Sequence, residues 1–426
     1  MRIFAKNFRG FSEIDFDVSH PTFLVGDNSS GKTSILHLVE YVFRTSLVQA
    51  PNLNSNHLHD WDGFTSPYFD HADVIIGFEN DEEPDEEGEV GKLVRIQTIQ
   101  RVKDEFGEPT NFVSRFTASD GVHAVTIAIF NQKIHAASYN GASLAGFSGV
   151  LDFHNCDDLE FSPVAEAEEF HANHPYVVVR AMSLLHSMTE ESEDVQFEFF
   201  GTLQGKKFLP SLFLGPLRSG PERYYDQEIS ESVDGQRTLA NWHKLSKHEK
   251  RKYWVPIKRF ANDSGLFSRF EVDTISEKFA RAPLHVRIIR EEKEFSLSEV
   301  GVGVSQSVPV LLQLIWGALT ERIVLVQQPE LHLHPVAQAA MGDYFFEMNE
   351  KGCGFIAETH SDYLIDRYRY RVRKSSSEQG ACIIYCENSR IGNTAYKLDI
   401  EEDGTIANAP DSYREFFINE LSKQVF

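Results

Sequence analysis

An apolar stretch, PTFLV (Pro21–Val25), runs into the glycine-bearing VGDNSSGKTS (Val25–Ser34) and out into SILHLVEYVF, whose apolar positions recur with a helical period. Residues 1–45 therefore read as strand, turn, strand, loop, helix. From His71 to roughly Asn140 the pattern changes to short alternating stretches, DVIIGF, KLVRIQTIQRV, FVSRFTAS and AVTIAIF, which predict an antiparallel sheet. Residues 160–200 are mixed and partly helical, and Phe208–Tyr225 supplies a buried strand followed by a Pro/Gly-rich loop. Polar, charged residues from 226 onward, with ANWHKLSKHEKRKYWVPIKRFA, predict a projecting helical arm. After Phe295 the apolar α/β pattern returns: VPVLLQLIWGALT reads as a helix, RIVLVQQ and GCGFIAETH as buried strands. The pattern predicts an α/β core split between residues 1–45 and 291–426, a β-rich lobe with a mixed insertion at 46–225, and a helical arm at 226–290. No internal repeat is evident.

Composition narrows the picture. At 426 residues with 33 Phe the chain has the material for a large core and more than one lobe. No stretch approaches the length of a membrane span, and MRIFAKNFRGF lacks the apolar core of a signal peptide, so a cytoplasmic location without membrane contact is expected. Cys156, Cys353, Cys382 and Cys386 form no C-x-x-C pair and read as free thiols. A net charge of −23 argues against a generally basic surface, so any contact with nucleic acid has to be local. The run ENDEEPDEEGE (Glu79–Glu89) reads as a solvated hairpin tip or loop.

The spacing Gly26, four residues, Gly31, Lys32, Thr33 fits the phosphate-binding pattern G-x-x-x-x-G-K-[ST], and a strand before it with a helix after it is the context such a loop requires. Its glycines let backbone N–H groups, those of Asn28, Ser29, Ser30 and Ser34 among its members, surround a phosphate at a helix N-terminus whose dipole favours an anion. Lys32 adds a cation for the outer phosphates, and the Thr33 hydroxyl is a ligand for Mg²⁺.

Three further segments follow in order. In LSEVGVGVSQSVPVLLQL (Leu297–Leu314), Gly303, Ser305 and Gln306 open a second helix whose N-terminus suits an anion. RIVLVQQPELHLHP (Arg322–Pro335) ends an apolar strand in Gln327, Gln328 and Glu330, where a metal-bound or attacking water is expected. GFIAETHSDYLI (Gly354–Ile365) places His360 just past a strand end. In an open α/β sheet ligands bind at the carboxyl ends of strands, so these groups are expected to converge on one nucleotide. A second phosphate-gripping helix suggests action in trans, on ATP held by another subunit.

With these motifs the chain resembles the ABC-type ATPases of the class shared by Rad50, RecF and the overcoming-lysogenization-defect (OLD) proteins, in the branch of AAA15/AAA21 ATPases with a DUF3696-like C-terminus. NFRGF, FLGPLRSGPERYY, ETHSDYLIDR and the tail IEEDGTIANAPDSYREFF carry the resemblance further, whereas residues 45–200 add no detail to it. It implies an α/β ABC-type P-loop ATPase head with an antiparallel β lobe and an inserted helical arm. It implies a homodimer, or a higher even oligomer, that sandwiches ATP and Mg²⁺, with Gly303 and Ser305 on the γ-phosphate in trans and His360 as the switch histidine. Stand-alone relatives such as PtuA of Septu and retron systems and AriA of PARIS serve in anti-phage defence with separate nuclease or toxin effectors. The alternatives are a DNA-repair clamp of the Rad50/RecF kind and a non-hydrolysing nucleotide-dependent scaffold.

One departure stands out. Gln327 occupies the position where the resemblance implies Glu or Asp as metal ligand, and an amide neither accepts a proton at neutral pH nor brings charge to Mg²⁺. Losing one preorganised electrostatic contact costs about 10²- to 10³-fold in rate. Hydrolysis is then slow, or Glu330 substitutes, or Gln327 is an engineered change that traps ATP. Elsewhere, His332 and His334 read as structural, and Arg218 and Arg223 as loop residues of either functional or ion-pairing role. HKLSKHEKRKYW and DRYRYRVRK read mainly as solvated or scaffold faces, with nucleic acid as the other use.

Overall fold

The computed structural model describes residues 1–18, 21–45, 73–81, 92–103, 109–119, 123–130, 133–140, 146–156, 159, 161–166, 211–216, 218, 220–227, 235–276, 278–279, 281–375 and 380–413. The acidic run beyond Asp81, the mixed insertion after Glu166 and the last thirteen residues lie outside them. In chain order the elements are β1 (Arg2–Phe8), β2 (Phe11–Asp17), β3 (Thr22–Gly26), α1 (Lys32–Thr45), β4 (Val74–Asp81), β5 (Lys92–Lys103), β6 (Pro109–Ser119), β7 (His123–Phe130) and β8 (Lys133–Asn140). There follow α2 (Gly146–Asn155), β9 (Ser162–Glu166), β10 (Leu212–Leu214), α3 (Gln236–Lys244), α4 (Lys247–Ser264), β11 (Arg269–Thr274), β12 (Leu284–Arg290) and β13 (Lys293–Ser296). The chain continues through α5 (Val302–Thr320), β14 (Val324–Gln327), α6 (Pro335–Asn349), β15 (Phe355–Glu358), α7 (Asp362–Lys374), β16 (Ala381–Ser389) and β17 (Gly392–Ile400). It divides into two units: Met1–Ser19, Ser29–Phe208 and Glu387–Thr394 form the first, and His20–Asn28, Leu209–Cys386 and Ala395–Phe426 the second.

The first unit holds the antiparallel sheet that the alternating pattern predicts. β1 pairs with β2 and with β4, and the ladder continues through β5, β6, β7, β8 and β9. At the other side Asn393 pairs in parallel with Phe11. Helix α2 covers one face, where Phe147 and Val150 close over Phe4, Val94 and Ile96. Beside them lies a buried polar knot. His154 exchanges hydrogen bonds with the hydroxyls of Thr98 (2.8 Å) and Thr117 (2.7 Å), and Thr117 is bonded to Thr126 (2.6 Å).

Burial, helped by the nearby Arg115 charge, pulls the His154 imidazole down to about 3 from its usual 6.5. The folded ring is neutral, and protonation favours the unfolded chain. The stability it contributes is complete above about 6.5 and is lost as pH falls toward the depressed value, at about 1.4 kcal/mol per pH unit. Replacing His154 by Gln removes this titration. The pH dependence of urea unfolding between about pH 6 and 4 is then expected to flatten by the equivalent of one proton.

The second unit is built on a parallel sheet in the order β10–β14–β15–β3–β16. β14 (VLVQ) and β15 (FIAE) are buried at every position, as strands covered on both faces must be. Phe23 of β3 and Phe355 of β15 meet edge-on at 5.4 Å, and Phe345 of α6 and Tyr368 of α7 seal the cluster. This packing fixes the positions from which the strands end.

Two expectations need correction. Residues 226–290 are not wholly helical: α3 and α4 occupy 236–264, but RFEVDT and LHVRIIR alternate with period two and pair as β11 and β12, with β13 beyond. Phe270, Val272, Val286 and Ile288 point into the core, while Arg287 binds Glu271, Asp273 and Glu294 on the outer face. Nor does α4 project, since Tyr253, Ile257 and Phe260 are buried. The second correction concerns α5, which by length and composition is apolar enough to cross a membrane. It is apolar all round because it is a core helix, packed against α3, α6, β10 and β14. The four cysteines are free, as expected, and burial raises the Cys353 thiol to about 12.

Candidate functional site

The phosphate-loop motif starts where β3 ends. β3 lies directly beside β15, with Leu24 opposite Glu358. Three residues of the loop have positive φ: Gly26 (142°), Ser29 (63°) and Gly31 (98°). Gly31 is also sterically committed, because a Cβ there would lie 2.5 Å from the Phe11 ring and 2.7 Å from the Asn393 amide. The α1 ladder begins with the Ile35 amide on the Gly31 carbonyl, so the amides before it face out of the helix N-terminus. Asp27, Asn28 and Ser29 are exposed, Gly31, Thr33 and Ser34 half-buried, and Lys32 buried. The Ser30 hydroxyl is enclosed without a hydrogen-bond partner. Gly26 and Asn28 belong to the second unit, Ser29 to Ser34 to the first.

In the second unit the neighbouring strand ends are polar. Gln327 closes β14 opposite Glu358, which closes β15. The Gln327 Nε2 donates to Glu358 Oε2 at 3.0 Å, and both side chains are more than nine-tenths buried. Gln328 follows with φ 43°, left-handed for a residue with a Cβ, while its amide still bonds to the Glu358 carbonyl. The turn brings Glu330 back so that its Oε1 accepts the His360 amide at 2.7 Å, joining the loops that follow β14 and β15. Burial raises the Glu330 carboxyl above its ordinary value, with the His360 amide and the charge of Arg218 opposing it.

Arg218 reaches the same place from the loop after β10. Its Nη2 donates to the carbonyls of Gln327 (2.9 Å) and Gln328 (3.2 Å). Its Nε and Nη1, and the Glu330 Oε2, are enclosed without partners. Burial lowers the guanidinium to about 10, so it stays charged at neutral pH. The His360 side chain is exposed, and Ser361 caps α7 by accepting the Leu364 amide at 3.1 Å.

The start of α5 presents Gly301 and Val302 to solvent. Ser305 is a turn further in and 4% exposed, its hydroxyl donating to the Val302 carbonyl at 3.1 Å; Gln306 is equally buried. Gly303 packs so close to the loop after β14 that a Cβ would lie 2.9 Å from the His332 carbonyl. His334 is the N-cap of α6, accepting the Val336 amide with Pro335 at the first helical position, which matches the structural reading of LHLHP. No group of three or more His, Cys, Asp or Glu able to hold a metal occurs among the described residues.

The second unit thus brings Gly26, Gln327, Gln328, Glu330 and the His360 loop to the carboxyl edge of one parallel sheet, and ties Gly303 to the turn after Gln328. Sequence reasoning missed Glu358. Its only signal was the polar residue ending an apolar run, FIAE, in step with LVQ.

Residues 1–169 match the family model described as AAA ATPase domain, and residues 188–366 match the one described as AAA domain, putative AbiEii toxin, Type IV TA system. Comparison with the curated proteins gave no match. Among solved structures, an SMC head bound to the C-winged helix domain of ScpA aligns with TM-score 0.44 at 11% identity, over 94% of this chain and 98% of that one. The SMC head domain from Thermotoga maritima aligns with TM-score 0.39 at 13% identity, over 93% and 97% of the two chains. The Smc head domain with an extended coiled coil bound to the C-terminal domain of ScpA, from Pyrococcus furiosus, gives 0.40 at 11%, over 94% and 96%.

Proposed function

We propose that this chain, which matches two AAA-domain family models, is an ABC-type P-loop ATPase that binds and hydrolyses ATP with Mg²⁺ as a molecular switch. In this reading two copies close on ATP in the cytoplasm, and the change of shape holds or releases a separate nuclease or toxin effector in anti-phage defence. The observation that carries the nucleotide reading is the placement of Gly26, the first residue of the phosphate-loop motif, on the strand beside that of Glu358, with that one strand between it and Gln327.

The residues present suit ATP and Mg²⁺. The loop's left-handed residues turn its amides, the Ser30 hydroxyl is enclosed without a partner, and Mg²⁺ on a nucleotide needs only one or two carboxylates besides phosphate oxygens. Lys32 and the loop amides hold the phosphates, Thr33 is a hydroxyl ligand, and bound Mg²⁺ supplies charge neutralisation at the transferred phosphoryl group. Glu330, whose burial raises its carboxyl, is suited to take a proton from water, and its Oε1 accepts the His360 amide at 2.7 Å. Val302 and Gly303, at the exposed end of α5, are the amides offered to a second copy's nucleotide.

A second reading has one observation in its favour. α4 exposes Lys247, His248, Arg251, Lys252, Lys258 and Arg259 on a chain of net charge −23, and a DNA-repair ATPase would use such a face. Mass photometry with and without ATP, combined with purification alongside the products of neighbouring genes, separates the two. The switch reading expects an ATP-dependent mass doubling and a co-eluting nuclease or toxin. ATP-stimulated binding to DNA ends with no protein partner overturns it.

A further inference from the structure

We propose that Glu358, at the end of β15, is the carboxylate that faces nucleotide-bound Mg²⁺ in this protein, with Gln327 as its hydrogen-bonding partner in place of an acid on β14. The inference rests on the reading that the chain binds ATP with Mg²⁺.

Four observations carry it. Gln327 and Glu358 are register partners on adjacent parallel strands and touch through their side chains, so both emerge on the same face of the sheet. The contact has one polarity: the amide nitrogen donates to Oε2 at 3.0 Å, a charge-assisted bond that an ionised acid at position 327 could not make. Two carboxylates at that separation repel and force one to hold a proton. A carboxylate on β15 therefore accounts for an amide on β14, and the pair keeps one negative charge.

Position supplies the third observation. β15 lies between β14 and β3, so Glu358 is on the strand next to the one that delivers Gly26, and Gln327 is one strand farther away. One strand is about 4.8 Å. Of the two, Glu358 is nearer the start of the phosphate loop. The fourth is chemical: a hard cation prefers a carboxylate oxygen to an amide, and Mg²⁺ on a nucleotide commonly takes one or two protein carboxylates. On this assignment the acid of the site stands on β15, one strand nearer the phosphate loop than Gln327.

The test measures Mg²⁺ rather than turnover. Binding of a fluorescent ATP analogue is titrated with Mg²⁺, and Mn²⁺ uptake by the protein–nucleotide complex is followed by electron paramagnetic resonance. The proteins are the full chain, Glu358→Gln, Gln327→Glu, the double exchange Gln327→Glu/Glu358→Gln, and Lys32→Ala as nucleotide control. Glu358→Gln is expected to bind the metal-free analogue as the parent does, while its Mg²⁺ and Mn²⁺ affinities fall at least about tenfold, the scale of losing a ligand or its support. The double exchange reverses the amide–acid pair without changing the charge. It is expected to recover much of the lost affinity and to melt within a few degrees of the parent.

Gln327→Glu alone faces two carboxylates toward one another, so its melting temperature is expected to rise with added Mg²⁺ more steeply than the parent's. Undiminished Mg²⁺ and Mn²⁺ affinity in Glu358→Gln overturns the assignment, as does an affinity in the double exchange no better than in the single variant. A parent chain that binds no nucleotide, with or without metal, overturns the ATP reading and this assignment with it.

Discussion

Lys32→Ala is expected to abolish nucleotide binding while leaving the fold intact. Lys32 opens α1 at the end of a loop whose backbone is committed to turning around an anion, with Gly26, Ser29 and Gly31 in left-handed conformation and Gly31 pressed between Phe11 and Asn393. The lysine is 3% exposed, so its charge acts in a medium less screening than water. Truncating one partner of such a buried charge pair costs about 2–5 kcal/mol, or roughly 30- to several-thousand-fold in affinity. Calorimetric titration of ATP into the variant checks this. A dissociation constant within about threefold of the parent, in a chain of unchanged melting temperature, would show that the loop does not hold phosphate.

Arg218→Met is expected to produce the largest loss of stability. The guanidinium donates to two main-chain carbonyls at the end of β14, and its charge lowers the carboxyl of the buried Glu330. Removing it strips both buried carbonyls of that donor and takes away a positive charge that favours the ionised Glu330 carboxyl, a change of about 1–3 kcal/mol. The pH dependence identifies the cause. The Glu330 carboxyl is already raised by burial, so the folded state binds its proton more tightly than the unfolded chain does. Its contribution is favourable below the ordinary carboxylate range and is lost as pH rises through the raised value.

Without Arg218 that value moves further up, so the variant's instability relative to the parent is expected to grow as pH rises above the ordinary carboxylate range. Adding Glu330→Gln to Arg218→Met removes the orphaned acid and is expected to restore part of the stability and flatten the pH profile. Chemical denaturation at several pH values measures both effects. A variant that unfolds at the parent's midpoint throughout would show that Arg218 is not a strut of the site.

The parts of the molecule that sequence made visible are those where one physical signal dominates. PTFLV, LVQ and FIAE are apolar runs because parallel strands covered on both faces admit little else. The phosphate-loop motif was legible because its glycines answer to backbone geometry, which the positive φ values at Gly26 and Gly31 bear out. RFEVDT and LHVRIIR were misread because the helix-favouring residues before them set the expectation. Their alternation becomes informative only when Glu271 is placed opposite Arg287.

Glu358 was invisible for a different reason. Its partner, Gln327, lies 31 positions earlier, and no local rule joins two strand ends until register is known. Gln327 was therefore read by itself, without the Glu358 side chain that accepts its amide from the next strand. Arg218 could be singled out in sequence, but two carbonyls after β14 as its targets could not. Ser305, read with Gly303 and Gln306 as opening a helix, lies a turn inside it with its hydroxyl bound to the Val302 carbonyl, because α5 begins at Val302.

The left-handed glutamine at position 328 has an implication for how this chain can change. Glycine would occupy that conformation at lower energy, since it has no Cβ to crowd the following carbonyl. A drift toward greater robustness could find glycine there in one step, yet the same step would loosen the reversal that delivers Glu330 to the His360 amide. Thermal hardiness and a well-aimed carboxyl therefore pull this residue in opposite directions, and the glutamine marks the side on which the compromise rests.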